Sequence, residues 1–272
     1  MMRAPLPTPS QPSPPVVDIQ PPLRYKRYAG WILLILIIVM CSIQTKVTPY
    51  QLITGLPQMG QLLKEMFPPD WSYIPTIWAP MMETVQIAIL GTTIGGIIAV
   101  PVALLCSYNI MPNRFIALPV RMILNLVRTI PDLLFAAIFV AVFGIGPFAG
   151  MLALVFFSFG IIAKLTFEAI EAIDPGPLEA MTAVGASRLQ VIRFGVLPQA
   201  LPYFMSYLLY TFEVNVRAAS VLGLVGAGGI GLLLDRSLGL FRYDRACVII
   251  LLTLVIVLII DYSSTWIRRK LL

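Results

Sequence analysis

The 272-residue sequence contains no histidine. Its three cysteines, Cys41, Cys106 and Cys247, lie far apart in apolar stretches, and no CxxC pair exists. Metal-ligand clusters and Ser/His or Cys/His catalytic pairs therefore lack their raw material. The cysteines read as small apolar residues. Charge is scarce too. Only 12% of residues are Asp, Glu, Lys or Arg, 58% are hydrophobic, and the mean hydropathy is +0.89. A soluble domain of this length needs more polar surface, so most of the surface is expected to face lipid. The same numbers exclude disorder for the body of the chain. No GxxxxGK[ST] element is present, so no nucleotide chemistry is expected in this chain.

What charge there is has a pattern. The net charge of +6 comes from basic residues at the ends of apolar runs. There they set topology and meet anionic lipid, and nucleic acid is not an expected partner. Residues 1–23 are rich in proline and read as a disordered cytoplasmic tail, because proline removes donors and fixes φ. Tyr28 to Thr45 is uncharged and follows Arg24, Lys26 and Arg27. It is expected to be a retained first span, since no small-residue cleavage site accompanies it. Residues 46–83, with Trp71 and Trp78, read as an external loop that completes a 24–83 segment.

The remaining residues, 84–272, read as the membrane core. Thr84 to Asn113 is expected to be span two, with Gly91 and Gly95 allowing close helix approach. Leu133 to Ala163 is uncharged over 31 residues. That is about 46 Å of helix, too long for one span and short of the roughly 60 Å that two need. The turn sequence Gly144-Ile-Gly-Pro-Phe-Ala-Gly150 divides it into spans over 122–143 and 149–168. Arg128, Asp132, Lys164 and Glu168 then become membrane-edge charges. A fifth span is expected from near Pro202 to Leu222, and a sixth from Ala246 to Trp266. Both termini inside leaves 13 of 19 Lys and Arg residues cytoplasmic, so six spans with cytoplasmic ends are expected.

The longest polar cytoplasmic segment runs from Glu179 to Pro198. Asp174, Pro175 and Pro177 are helix-start signals, Gly185 can end or kink that helix, and Ser187 can cap a second one. Two short amphipathic helices with partly exposed Leu178, Met181, Val184 and Leu189 suit a partner groove. An ordinary interfacial helix pair accounts for them equally well. Here the chain resembles a family. Glu179, Ala180, Gly185, Leu197 and Pro198 match the EAA loop of ABC importer permeases in type and spacing. Two positions depart: Met181 replaces the usual second alanine, and Gly195 sits where an aliphatic residue is usual. The segments Arg128-Thr-Ile-Pro-Asp132, Phe143-Gly-Ile-Gly-Pro-Phe-Ala-Gly150, Lys164 with Glu168 and Glu171, Tyr210-Thr-Phe-Glu-Val-Asn-Val-Arg217 and Val225-Gly-Ala-Gly-Gly-Ile-Gly231 resemble the phosphonate permease branch.

The resemblance implies an all-α integral membrane protein with six transmembrane helices and a cytoplasmic coupling-helix loop over 175–201, the type I ABC importer permease fold. It implies a bacterial inner-membrane location and a second copy of the chain around one pathway. Two separate ATPase subunits that hold ATP and Mg would dock on Glu179, Ala180, Gly185, Ala186, Ser187, Leu197 and Pro198. An extracytoplasmic phosphonate-binding protein would deliver substrate. No cofactor, metal or catalytic residue is expected in this chain itself.

Two features stay open. Gly226-Ala-Gly-Gly-Ile-Gly231 satisfies GxGxxG without a surrounding βαβ unit. It is read either as close packing or as backbone N–H groups near an anion path, which would bring in Gly226, Gly228 and Gly229. Glu213 and Arg217 stand four apart in a helix-favourable order, with Asn215 on another face. They form a salt-bridge lock, or Arg217 and Asn215 line a pathway for a phosphorus oxyanion. A self-sufficient anion channel or secondary transporter is the rival reading; it would more naturally show an internal repeat. An intramembrane enzyme lacks a nucleophile–base pair.

Overall fold

The computed structural model describes residues 24–46 and 49–271, and the proline-rich tail lies outside them. The chain divides at Gln61 into two units. In the first, α1 (Arg24–Thr45) carries the expected span, and almost all its described side chains are exposed, as a lipid-facing helix requires. The segment expected to be loop contains a second helix, α2 (Pro49–Glu65), despite Gly55, Pro57 and Gly60.

The main unit is all helical among the described residues. Helix α3 (Ile74–Cys106) begins ten residues before the expected start of span two, because Pro75 suits a first helical turn. It packs along α6 (Pro147–Glu171), and its glycines make that approach possible. A Cβ on Gly91 would lie 2.6 Å from Leu154 Cβ, and one on Gly95 would lie 2.8 Å from the Val155 carbonyl. Two apolar clusters flank the seam, one around Leu124, Ile162 and Phe167, the other around Ile87, Leu154 and Leu222. At one end of α3, Arg121 is sandwiched between the rings of Tyr108 and Phe167 and donates to Glu171 and to the Cys106 carbonyl.

The expected third span is two helices. α4 (Arg114–Thr129) and α5 (Asp132–Phe143) meet at an 85° bend. The cause is local. Pro131 excludes the helical region for the residue before it, and Ile130 is extended at ψ 122°. Asn113 caps α4 by accepting from the Phe115 N–H at 3.0 Å.

After α6 come α7 (Pro175–Ala183), α8 (Arg188–Gln190), a six-residue π-helical turn at Val191–Val196, and α9 (Leu197–Leu222). Helix α9 does not start near Pro202, as expected, but carries it inside. The π turn precedes Pro198, whose missing N–H already interrupts the ladder there. A 3₁₀ turn at Gly223–Val225 leads to α10 (Gly229–Gly239), a helix between the expected fifth and sixth spans, and α11 (Tyr243–Leu271) is the last element. Among the described residues, five helices are long and apolar enough to cross a membrane, and the bent α4–α5 pair makes six.

Candidate functional site

The loop between α6 and α9 is built by local chemistry. Asp174 caps α7 through the Gly176 N–H at 2.9 Å, and Gln199 braces it by accepting from the Asp174 N–H at 3.2 Å. Helix α7 ends where Gly185 takes φ +78°, and the Ala186 N–H returns to the Met181 carbonyl at 3.0 Å. This left-handed closure satisfies carbonyls that the helix end would otherwise strand. Ser187 opens α8, and its N–H donates to the Gln190 side chain at 2.7 Å. Glu179, Ala180 and Pro198 are left exposed, with Ala186 half-buried. Val184 is 84% exposed and Leu189 75%. The loop is thus well capped and still presents apolar side chains to its surroundings.

The two departures from the EAA pattern touch each other. A Cβ on Gly195 would meet Met181 Sδ at 3.4 Å and Leu178 Cδ1 at 3.5 Å. Met181 and Leu178 therefore border the space into which a longer aliphatic side chain at 195 would extend.

The glycine stretch resolves toward close packing. Gly226, Gly228 and Gly229 all have positive φ, and Gly228 and Gly229 have no room for a side chain. The N-terminus of α10 that they build is already served from within the chain. The Gly229 N–H donates to Glu83 at 3.3 Å, and the Ile230 N–H donates to Thr84 Oγ1 at 2.8 Å. A carboxylate from the chain itself therefore stands where the alternative reading had an anion path.

Glu213, Asn215 and Arg217 separate into two roles. Asn215 is fully buried and donates to Thr92 Oγ1 at 2.7 Å and Ser158 Oγ at 2.6 Å. It ties α9 to the α3–α6 seam, so the expectation that it lines a pathway gives way to an interhelical clamp. Glu213 is buried and holds two arginines, Arg217 at 2.6 Å and Arg268 at 3.1 Å. Arg268 belongs to the basic end of α11, so this cluster lies at the level of those closing charges rather than deep in an apolar span. Arg217 itself remains half exposed beside an apolar groove between α9, α10 and α11.

The expected edge charges are the ones that meet around open space. A cavity of about 490 Å³ is lined by Arg128, Lys164, Glu168 and Tyr210, with Phe157 and Ile161 among its apolar walls. Lys164 pairs with Glu168 at 2.6 Å and sits 4.7 Å from the Phe167 ring centroid. Arg128 and Asp132 make no ion pair with each other. They flank the α4–α5 bend instead. Arg128 lies in the last turn of α4 and Asp132 in the first turn of α5, each favourable to its own helix dipole. Among the described residues no metal-ligand cluster is found.

The family described as "Binding-protein-dependent transport system inner membrane component" matches residues 91–272. The chain belongs to this family. It is 38% identical over 218 residues to the phosphite transport system permease protein PtxC of Stutzerimonas stutzeri, covering 80% of this chain and 79% of that protein. It is 38% identical over 228 residues to the phosphate-import permease protein PhnE of Mycolicibacterium smegmatis, covering 83% of this chain and 43% of that longer protein. Its fold is similar to the MetNI methionine ABC transporter in an inward-facing conformation. The TM-score is 0.64 at 26% identity, over 76% of this chain and 99% of that one. The chain is thus an all-helical ABC importer permease, a transport subunit of the inner membrane.

Several contributors escaped the sequence reading. Glu83 and Thr84 straddled an expected loop boundary, and Arg268 was counted only as a topology signal. Thr92 and Ser158 carry no pattern that distinguishes them from other small polar residues in apolar helices.

Proposed function

We propose that this permease imports a phosphorus oxyanion, of the phosphonate, phosphite and phosphate class, and couples its passage to ATP hydrolysis on a separate subunit. The exposed, internally capped loop from Pro175 to Pro198 carries this reading. Its fixed shape suits the transmission of force, and Val184 and Leu189 supply the apolar contact. Two ATPase subunits, which hold the ATP and Mg, would seat on the loops of two copies of this chain. A binding protein outside the membrane would deliver the anion. The excess of Lys and Arg on one side favours cytoplasmic termini. The names of the two relatives support the substrate class, and phosphite, phosphate and phosphonate share a tetrahedral anionic head that arginine forks recognise.

The test is reconstitution of the chain with its ATPase and binding protein in vesicles. ATP-dependent uptake of phosphite, phosphate or methylphosphonate is expected. Gly185→Val should abolish uptake while leaving the permease folded, because no atom lies within 4 Å of the added Cβ and the damage is confined to the loop backbone. Uptake that persists without the ATPase, driven by an ion gradient, would falsify the coupling and favour a secondary transporter.

A further inference from the structure

We infer that the cavity at the α4–α5 bend is the oxyanion contact point of the permease, with Arg128 as its primary ligand and Lys164 and Tyr210 as secondary ones. The inference rests on the substrate class proposed above. The backbone of Arg128 passes over Gly160, whose Cβ would lie 3.5 Å from the Arg128 Cα. Gly160 is about 20 Å along α6 from Pro147, in a helix about 37 Å long. The bend and its arginine therefore meet α6 near its middle, and the cavity extends from there toward its C-terminal end at Lys164 and Glu168. Interrupted backbone at such a level is tolerated where it lines a water-filled space, and an ionisable side chain there marks a path.

Charge accounting gives the sign of the ligand. Lys164 is answered by Glu168. Arg128 has no carboxylate within reach among the described residues, and Asp132 is turned to its own backbone, accepting from the Leu133 N–H at 2.8 Å. The cavity thus carries a net positive charge, with a planar fork of donors exposed to it. Its volume of about 490 Å³ admits a small tetrahedral anion with part of its hydration, at roughly 30 Å³ per water. Lys164 can exchange Glu168 for the arriving anion without leaving the cavity. The Phe157 and Ile161 walls offer no competing polar group. By contrast, the N-terminus of α10 is occupied by Glu83, and Arg217 is held by Glu213.

The experiment uses the complete complex in vesicles, with phosphite, phosphate and methylphosphonate as probes. Arg128→Gln is expected to lower the maximal uptake rate at least tenfold while KM, set by the binding protein, holds within about twofold. Arg128→Lys, which keeps charge but loses the fork, should fall between Arg128→Gln and the unaltered chain, and Tyr210→Phe should cost a few-fold. Co-purification of the ATPase checks assembly, and should Arg128→Gln fail to assemble, the Arg128→Lys and Lys164→Gln variants decide. Uptake within twofold of the unaltered complex in assembled Arg128 and Lys164 variants overturns the inference and leaves the substrate reading standing. Absence of uptake of all three probes by the unaltered complex overturns the substrate reading and the inference with it.

Discussion

The contact between Met181 and Gly195 makes a two-residue exchange predictable. Replacing Met181 by Ala removes three heavy atoms from a half-buried side chain. Full burial of Met is worth about 2–5 kcal/mol on truncation, so half-burial suggests about 1–2 kcal/mol. Replacing Gly195 by Leu inserts four carbons where the first already stands 3.4 Å from Met181 Sδ and 3.5 Å from Leu178 Cδ1. Overpacking of this kind costs about 1–3 kcal/mol. Gly195→Ala adds only the first carbon at ordinary contact distance. It should be neutral or stabilising by up to about 1 kcal/mol, since glycine is a poor helix former.

Made together, Met181→Ala and Gly195→Leu place the aliphatic side chain in the volume vacated by the methionine. The pair should then be less destabilised than the sum of its parts by at least about 1 kcal/mol, within the range of coupling seen for touching residues. The assay is a double-mutant cycle of thermal unfolding on the purified full-length permease, run beside ATP-driven uptake of phosphite. Uptake should follow stability, low in both singles and recovered in the double. Additivity within about 0.5 kcal/mol, or a Gly195→Leu single variant as stable as the unaltered chain, would refute the reasoning.

Other predictions follow from single positions. Gly185→Ala should cost about 1–2 kcal/mol through its φ of +78°, with Gly185→Asn costing less, as read by thermal unfolding. Gly231→Ala should prevent assembly of a stable main unit, because the added Cβ would lie 2.2 Å from the Ser220 carbonyl; Gly239→Ala, with nothing within 4 Å, should leave unfolding unchanged. Glu213→Gln should cost about 3 kcal/mol, chiefly by leaving the more buried Arg268 without its carboxylate, whereas Arg217→Ala should cost less than half of that, since Glu213 keeps Arg268 and Arg217 is half exposed. Equal losses in the two variants would contradict the shared-carboxylate geometry.

The spans and the loop between α6 and α9 were legible because each rests on local signals. Apolar length locates α1, α3, α6 and α11, and Asp174, Gly185 and Ser187 punctuate the loop where their backbone preferences say they should. The features that were missed depend on partners distant in the chain. Helix α10 begins among glycines that read as loop, and its first N–H groups are satisfied by Glu83 and Thr84, 146 residues earlier. The bend at Pro131 has a local cause, but proline is also tolerated within spans elsewhere in this chain, at Pro101 and Pro202, so the residue alone does not announce an 85° break. Asn215 looked like a pathway residue because an amide in an apolar helix is conspicuous. Its two hydroxyl partners lie on different helices and could not be paired with it by spacing.

The same distinction sorts the ionisable groups. An arginine or carboxylate inside an apolar bundle is retained only when something repays its lost hydration. Glu213 is compensated by two arginines, Arg121 by Glu171 and two aromatic rings, and Lys164 by Glu168. These groups answer one another, and a lock between helices is a sufficient reason for each. Arg128 has no such answer from the described residues, and it is exposed beside the cavity at the α4–α5 bend. On the inference proposed above, the cavity supplies what compensates it, as water between transport events and as an anion during them. A site that is never fully satisfied by its own protein releases its ligand readily, which a path needs and a storage site does not.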